Sequence, residues 1–81
     1  MRLPRDLSGT DLAKALGRIG YSVSRQTGSP MRLTSTASGG EHPITIPNHD
    51  PLKVGTLSAI LRDVADHHRV SRDDLVKRLF P

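Results

Sequence analysis

The chain has no cysteine and no tryptophan, and its aromatic side chains are one tyrosine and one phenylalanine. Without thiols it can form no disulfide, thiolate metal site or cysteine nucleophile. With so few rings it lacks the stacking platform that RRM-type and OB-type readers of single strands use. Long apolar runs are missing too. The longest is Ala59-Ile60-Leu61, far short of a signal-peptide core or a membrane span. These absences predict a cytoplasmic protein with no membrane partner.

What is present is charge and a modest core. The 81 residues are 35% hydrophobic and 25% charged, a composition expected of one small folded domain spanning residues 1–81. Twelve Lys and Arg against eight Asp and Glu leave a net charge of +4. The excess is unevenly placed. Arg2, Arg5, Lys14, Arg18, Arg25 and Arg32 face only Asp6 and Asp11 in residues 1–35, whereas residues 36–81 carry six charges of each sign. A basic half next to a balanced half points to a localised anionic partner.

Periodicity predicts the elements. Ser8-Gly9-Thr10-Asp11 has the form of a capping box, and Leu12, Ala15, Leu16 and Ile19 follow at the spacing of one helical face, with Gly20 expected to end the helix. Tyr21–Gln26, Met31–Thr36 and His42–Pro47 alternate as short strands, separated by turn residues at Gly28-Ser29-Pro30 and Ala37–Gly40. Tyr21, Val23, Met31, Leu33, Ile44 and Ile46 would form the apolar face. Pro47 and Pro51 bracket a loop, after which Val54, Leu57, Ile60, Leu61 and Val64 give a second amphipathic stripe. Ser71 caps a short terminal helix carrying Leu75, Val76 and Leu79, with Val70 and Leu75 spaced as a hydrophobic staple. The order α-β-β-β-α plus a short C-terminal helix predicts an α+β two-layer sandwich, the order of the double-stranded-RNA-binding-domain fold.

Three segments carry a resemblance: Gly17-Arg18-Ile19-Gly20-Tyr21, Arg25-Gln26-Thr27-Gly28-Ser29, and Ile46-Pro47-Asn48-His49-Asp50-Pro51-Leu52-Lys53-Val54-Gly55-Thr56-Leu57 with Ile60-Leu61. Together they resemble the HicA (YcfA-like) toxins of toxin–antitoxin pairs, most strongly over residues 8–64. The resemblance implies a metal-independent mRNA interferase, an endoribonuclease that needs no cofactor, binds RNA and is held inactive by a HicB-like antitoxin. It also implies a catalytic His directly after Gly-Ser at the head of the second strand. Here Ser29 is followed by Pro30. A pyrrolidine ring has no titratable proton, so this chain is expected to be catalytically impaired. The alternative is a non-catalytic RNA-binding or antitoxin-binding module.

Around position 30 each candidate has two readings. Arg32 shares strand parity with Pro30 and suits phosphate contact or stabilisation of a charged transition state; equally it is a solvated strand arginine. Arg25 shares parity with Val23, so its stem is expected beneath the sheet edge, with a weaker case for RNA contact. Lys53, Gly55 and Thr56 combine a charge, a side-chain-free approach and helix N-terminal N–H groups, or form an ordinary helix start. His49 either orients RNA, supporting the site together with Ser29 and Arg32, or hydrogen-bonds its own loop. His42 has no motif behind it. His67-His68, with Asp63 one turn earlier, supplies too few ligands for a metal site and suits the negative end of a helix.

Overall fold

Ser8 starts the first helix as the capping box requires. The Asp11 N–H donates to Ser8 Oγ at 3.0 Å and the Ser8 N–H donates to Asp11 Oδ2 at 3.3 Å. Two of the helix's orphan donors are thereby satisfied. α1 spans Gly9–Gly17. The computed structural model describes residues 6–25, 30–35 and 40–81, with the backbone but not the side chain of Arg25.

α1 ends earlier than its apolar stripe. From Arg18 to Gly20 each N–H reaches back only three residues, to Ala15, Leu16 and Gly17, and Gly20 takes φ of 102°. The helix tightens into a closing turn so that the chain can reverse into the sheet, and Gly20 supplies the left-handed backbone that a residue with a Cβ resists. Ile19, past the helix, still packs partly against the core.

Three strands follow: β1 (Tyr21–Arg25), β2 (Met31–Ser35) and β3 (His42–Ile46), antiparallel in the order β1-β2-β3. The two intervening turns fall largely outside the described residues. Alternation sends Met31, Leu33, Ile44 and Ile46 into the core, while Arg32 and Thr45 face out. Val23 departs from expectation. Its register opposite Leu33 puts it on the apolar face, yet it is 43% exposed because β1 is an edge strand and the helices do not cover it there. A bulge between Val23 and Arg25 also breaks the parity that grouped those two residues. The Cα of Arg25 pairs with that of Arg32 instead.

α2 (Val54–His68) and α3 (Arg72–Leu79) complete the two-layer α+β sandwich, in the order α-β-β-β-α-α. α2 buries Leu57, Ile60, Leu61, Val64 and Ala65. α3 is short but is no appendage, since Leu75, Val76 and Leu79 are all buried. Ser71 Oγ accepts the Asp74 N–H at 3.1 Å, Val70 packs against the core as the staple predicts, and Arg72 Nη2 donates to Ser58 Oγ at 3.1 Å. Arg18 Nη1 donates to the Leu79 carbonyl at 3.2 Å, giving a terminal carbonyl of α3 a cationic partner.

The tightest backbone approach is at Gly9. A Cβ there would collide with the Pro47 carbonyl oxygen and crowd Met31 Cε at 3.2 Å and Ile46 Cγ2 at 3.3 Å, whereas one on Gly17 would meet nothing. Gly9→Ala is therefore expected to lower unfolding free energy by about 1–3 kcal/mol through overpacking. Gly17→Ala is expected to raise it by about 0.4–1 kcal/mol by restricting the unfolded chain. Urea denaturation of the two variants checks the contrast.

Candidate functional site

Met31 pairs with Ile46, so the start of β2 and the end of β3 lie at one end of the sheet. Pro30 stands exposed there, immediately before the ladder begins. Proline is tolerated at that point because the N–H it lacks is not needed by the first strand pair. Arg32 is exposed two residues on, opposite Thr45. Its main chain is fixed: Ser24 Oγ donates to the Arg32 carbonyl at 3.2 Å, and Thr34 Oγ1 donates to Ser24 Oγ at 3.2 Å. The open sheet face thus offers an exposed arginine on a braced strand. Ser29 and the side chain of Arg25 lie outside what is described.

The loop between β3 and α2 belongs to the same end. The Gly9 N–H donates to the His49 carbonyl at 2.9 Å, the Leu52 N–H donates to the Leu7 carbonyl at 2.7 Å, and Leu52 is buried. His49 therefore has a structural part through its backbone, while its imidazole is exposed. α2 then begins at Lys53, an N-cap with no side-chain hydrogen bond, and no acidic residue occupies the first turn. Lys53, Val54 and Gly55 are exposed and Thr56 is half-buried. Helix N-termini carry partial positive charge, and this one is not neutralised by its own side chains as α1 and α3 are by Ser8, Asp11 and Ser71. The structure thus gathers Pro30, His49 and the Lys53–Thr56 turn at one end, with Arg32 one strand pair inward.

The other histidines lie at the opposite end, where they form a cluster that sequence reasoning missed. Tyr21 pairs with Ser35 and Ser35 with His42, so three polar residues cross the core face of the sheet in one row. α2's last turns lie against that row. Tyr21 Oη is 2.5 Å from His42 Nδ1 and 3.1 Å from His68 Nε2, and His42 Nε2 is 3.3 Å from Asp63 Oδ1. His67 stacks on His42 with centroids 4.1 Å apart and planes 6° from parallel. Asp63 and His67, one helical turn apart, were a legible pair. His42 joins them only through the strand register and the placement of α2.

The cluster is built for structure more than for catalysis. Tyr21 is pushed up to about 12 by burial, with the negative charge of Asp63 adding to it, so its hydroxyl stays protonated. Both ring nitrogens of His42 are engaged, and Nε2 of His67 is buried without a partner. Nor do the rings suit a cation. Lone pairs of stacked imidazoles lie in parallel planes and do not converge on one ion, and among the described residues no three His, Cys, Asp or Glu groups are arranged to hold a metal.

The geometry defines a basic, double-stranded-RNA-binding-domain-like sandwich with an open polar sheet face beside an exposed helix start. Compared with known proteins, residues 9–66, more than half of the chain, match a family model described as HicA toxin of bacterial toxin-antitoxin. The chain belongs to that family, a toxin whose system includes an antitoxin partner. No curated protein and no solved structure matches it significantly. Among the described residues no helix is long and apolar enough to cross a membrane.

Removing the Tyr21 hydroxyl tests the cluster's structural weight. Tyr21→Phe leaves His42 Nδ1 without its donor at a half-buried site and is expected to cost about 1–3 kcal/mol. Urea denaturation at pH 7.5 measures it.

Proposed function

We propose that this chain is a single-domain cytoplasmic toxin that binds RNA as an mRNA interferase by descent, is restrained by a HicB-like antitoxin, and cleaves poorly because of Pro30. One observation carries the reading. Pro30 is exposed at the head of β2, beside a sheet whose ladder is intact from Met31 onward. The resemblance expects a catalytic histidine at this position. Cleavage by the ribose 2′-hydroxyl needs a group to take its proton and one to protonate the leaving 5′-oxygen, and proline does neither. Loss of one such group typically costs about 10²–10⁴ in rate.

Binding does not need that proton. Arg32, with Arg25 on the neighbouring strand, offers guanidinium groups for phosphates. Lys53, Gly55 and Thr56 offer a charge, an unobstructed approach and free backbone donors. His49 lies exposed at the same end as a supporting group, and Ser29, next to Pro30 in sequence, is proposed as a second. Loss of the general acid–base group alone also favours the second reading, a non-catalytic RNA-binding or antitoxin-binding module.

Pro30→His is expected to raise RNA cleavage by the isolated toxin about 10²–10⁴-fold and to make expression arrest growth. Strong cleavage by the unaltered chain would sink the assignment of catalysis to position 30. Arg32→Ala and Lys53→Ala should each weaken RNA binding and reduce its dependence on log salt by about one. Absence of RNA retention at low salt would leave the antitoxin-binding module.

A further inference from the structure

Five side chains from three elements meet at the end of the sandwich remote from Pro30. Tyr21 comes from β1, His42 from β3, and Asp63, His67 and His68 from α2. We propose that this cluster is an acid-sensitive latch, which holds the C-terminal end of α2 on the sheet at neutral pH, and with it the α3 that packs on α2, and releases them when its histidines become charged.

The hydrogen bonds run in one direction. Asp63 can only accept, so His42 presents its proton on Nε2 and a lone pair on Nδ1. Tyr21 therefore donates to Nδ1 of His42 and accepts from Nε2–H of His68. The resulting chain, His68 to Tyr21 to His42 to Asp63, joins both edge strands to α2 while every imidazole is neutral. Protonating His42 puts a second N–H on the Tyr21 oxygen and takes away the acceptor of the Tyr21 hydrogen. A buried hydroxyl left in that way loses its compensation for desolvation.

Charge works in the same direction at His68. The His42 and His67 rings are 4.1 Å apart and those of His67 and His68 are 5.1 Å apart. The groups facing them are Tyr21 from β1, Asp63 from α2 and Arg78 from α3, while Glu41, Asp66 and Arg69 flank the cluster in sequence and are exposed. Asp63 is a carboxylate bonded to it, through His42, and its side chain is 61% exposed. Among the described residues the buried Nε2 of His67 has no hydrogen-bond partner. Burial, followed by the charges of His67, His42 and Arg78, holds His68 below the ordinary histidine value of 6.5. Above that value folded and unfolded chains are both neutral at His68. As pH falls below it, the unfolded chain takes up a proton that the folded one refuses, and stability declines.

What the latch holds is also marked. α2 ends in a paired turn, with Val70 N–H bonded to the Ala65 carbonyl and Arg69 N–H to that of Asp66. Arg69 sits there at φ of 55°, a left-handed conformation disfavoured for a residue with a Cβ. The last turn therefore relies on tertiary contacts, and α3 follows directly.

The test is urea unfolding of the whole chain between pH 8 and 5.5, a range above the titration of ordinary carboxylates. The folding equilibrium constant is expected to fall about tenfold for each pH unit by which His68 is held below its ordinary value. His67→Gln/His68→Gln should flatten that dependence. A flat profile for the unaltered chain, or a slope the double variant keeps, overturns the latch. Amide protection factors at pH 5.5 locate the opening, with losses expected first at residues 65–79 while α1 and β2 stay protected. Uniform loss across the fold overturns it as general acid unfolding. If the double variant does not fold, NMR titration of the unaltered chain decides. His68 must titrate below 6.5 together with shifts in the α2 terminal amides, and an ordinary titration without those shifts overturns the proposal.

Discussion

The missing side chain at Gly9 is the constraint on which the arrangement of the functional end rests. Because nothing projects from it, the first turn of α1 lies directly on the Pro47 carbonyl, between Met31 and Ile46. From that contact the rest follows in a short series of bonds. The Gly9 N–H holds the His49 carbonyl, and Leu7 holds Leu52. Leu52 delivers the chain to Lys53 and the start of α2. The capping box at Ser8 and Asp11 fixes where the helix begins, and so fixes which residue meets Pro47. One close backbone approach thereby sets β2's head, the histidine loop and the α2 N-terminus relative to one another.

The two ends of the sheet solve different problems. At the Gly9 end the interior is apolar and well filled by Met31 and Ile46, which leaves polar groups to face outward: Arg32 on the strand, His49 in the loop, Lys53 at the helix. At the other end the core-facing row is Tyr21, Ser35 and His42, and an apolar helix end would take from Tyr21 its bond to His68 and from His42 its bond to Asp63. α2 meets them with Asp63, His67 and His68. The interior is polar where the surface has no proposed chemistry, and apolar where the surface has. Such a division keeps a titrating structural cluster away from the groups proposed to meet RNA.

Most of the fold was legible because local signals agreed with one another. Ser8 with Asp11, Ser71 with Asp74 and the strand alternation each specified a boundary by a mechanism that the structure repeats, while Gly20 marks the turn after α1 and not its end. The misreadings are equally specific. Val23 alternates correctly but is uncovered, because coverage depends on how far the helices extend over an edge strand. The register between Val23 and Arg25 shifts because a bulge adds a residue that alternation does not announce, and the side chain of Arg25 lies outside the described residues. The histidine cluster was illegible for a third reason. Asp63 and His67 are one turn apart in sequence, but Tyr21 and His42 reach them only through a register across three strands and the placement of a helix over the sheet.

Pro30 joins these levels. A proline inside β2 would remove a ladder hydrogen bond and force the strand to an edge. Immediately before Met31 it removes nothing that the first pair with Ile46 needs, and its fixed φ suits an extended approach to the strand. The residue that the resemblance expects there, a histidine, contributes chemistry and no packing, because the position is exposed. A change of side chain at this exposed strand head therefore carries little structural consequence. The arginine two residues on depends on the strand, not on position 30, for its placement. The same separation keeps Arg32 exposed on its strand whatever side chain position 30 carries.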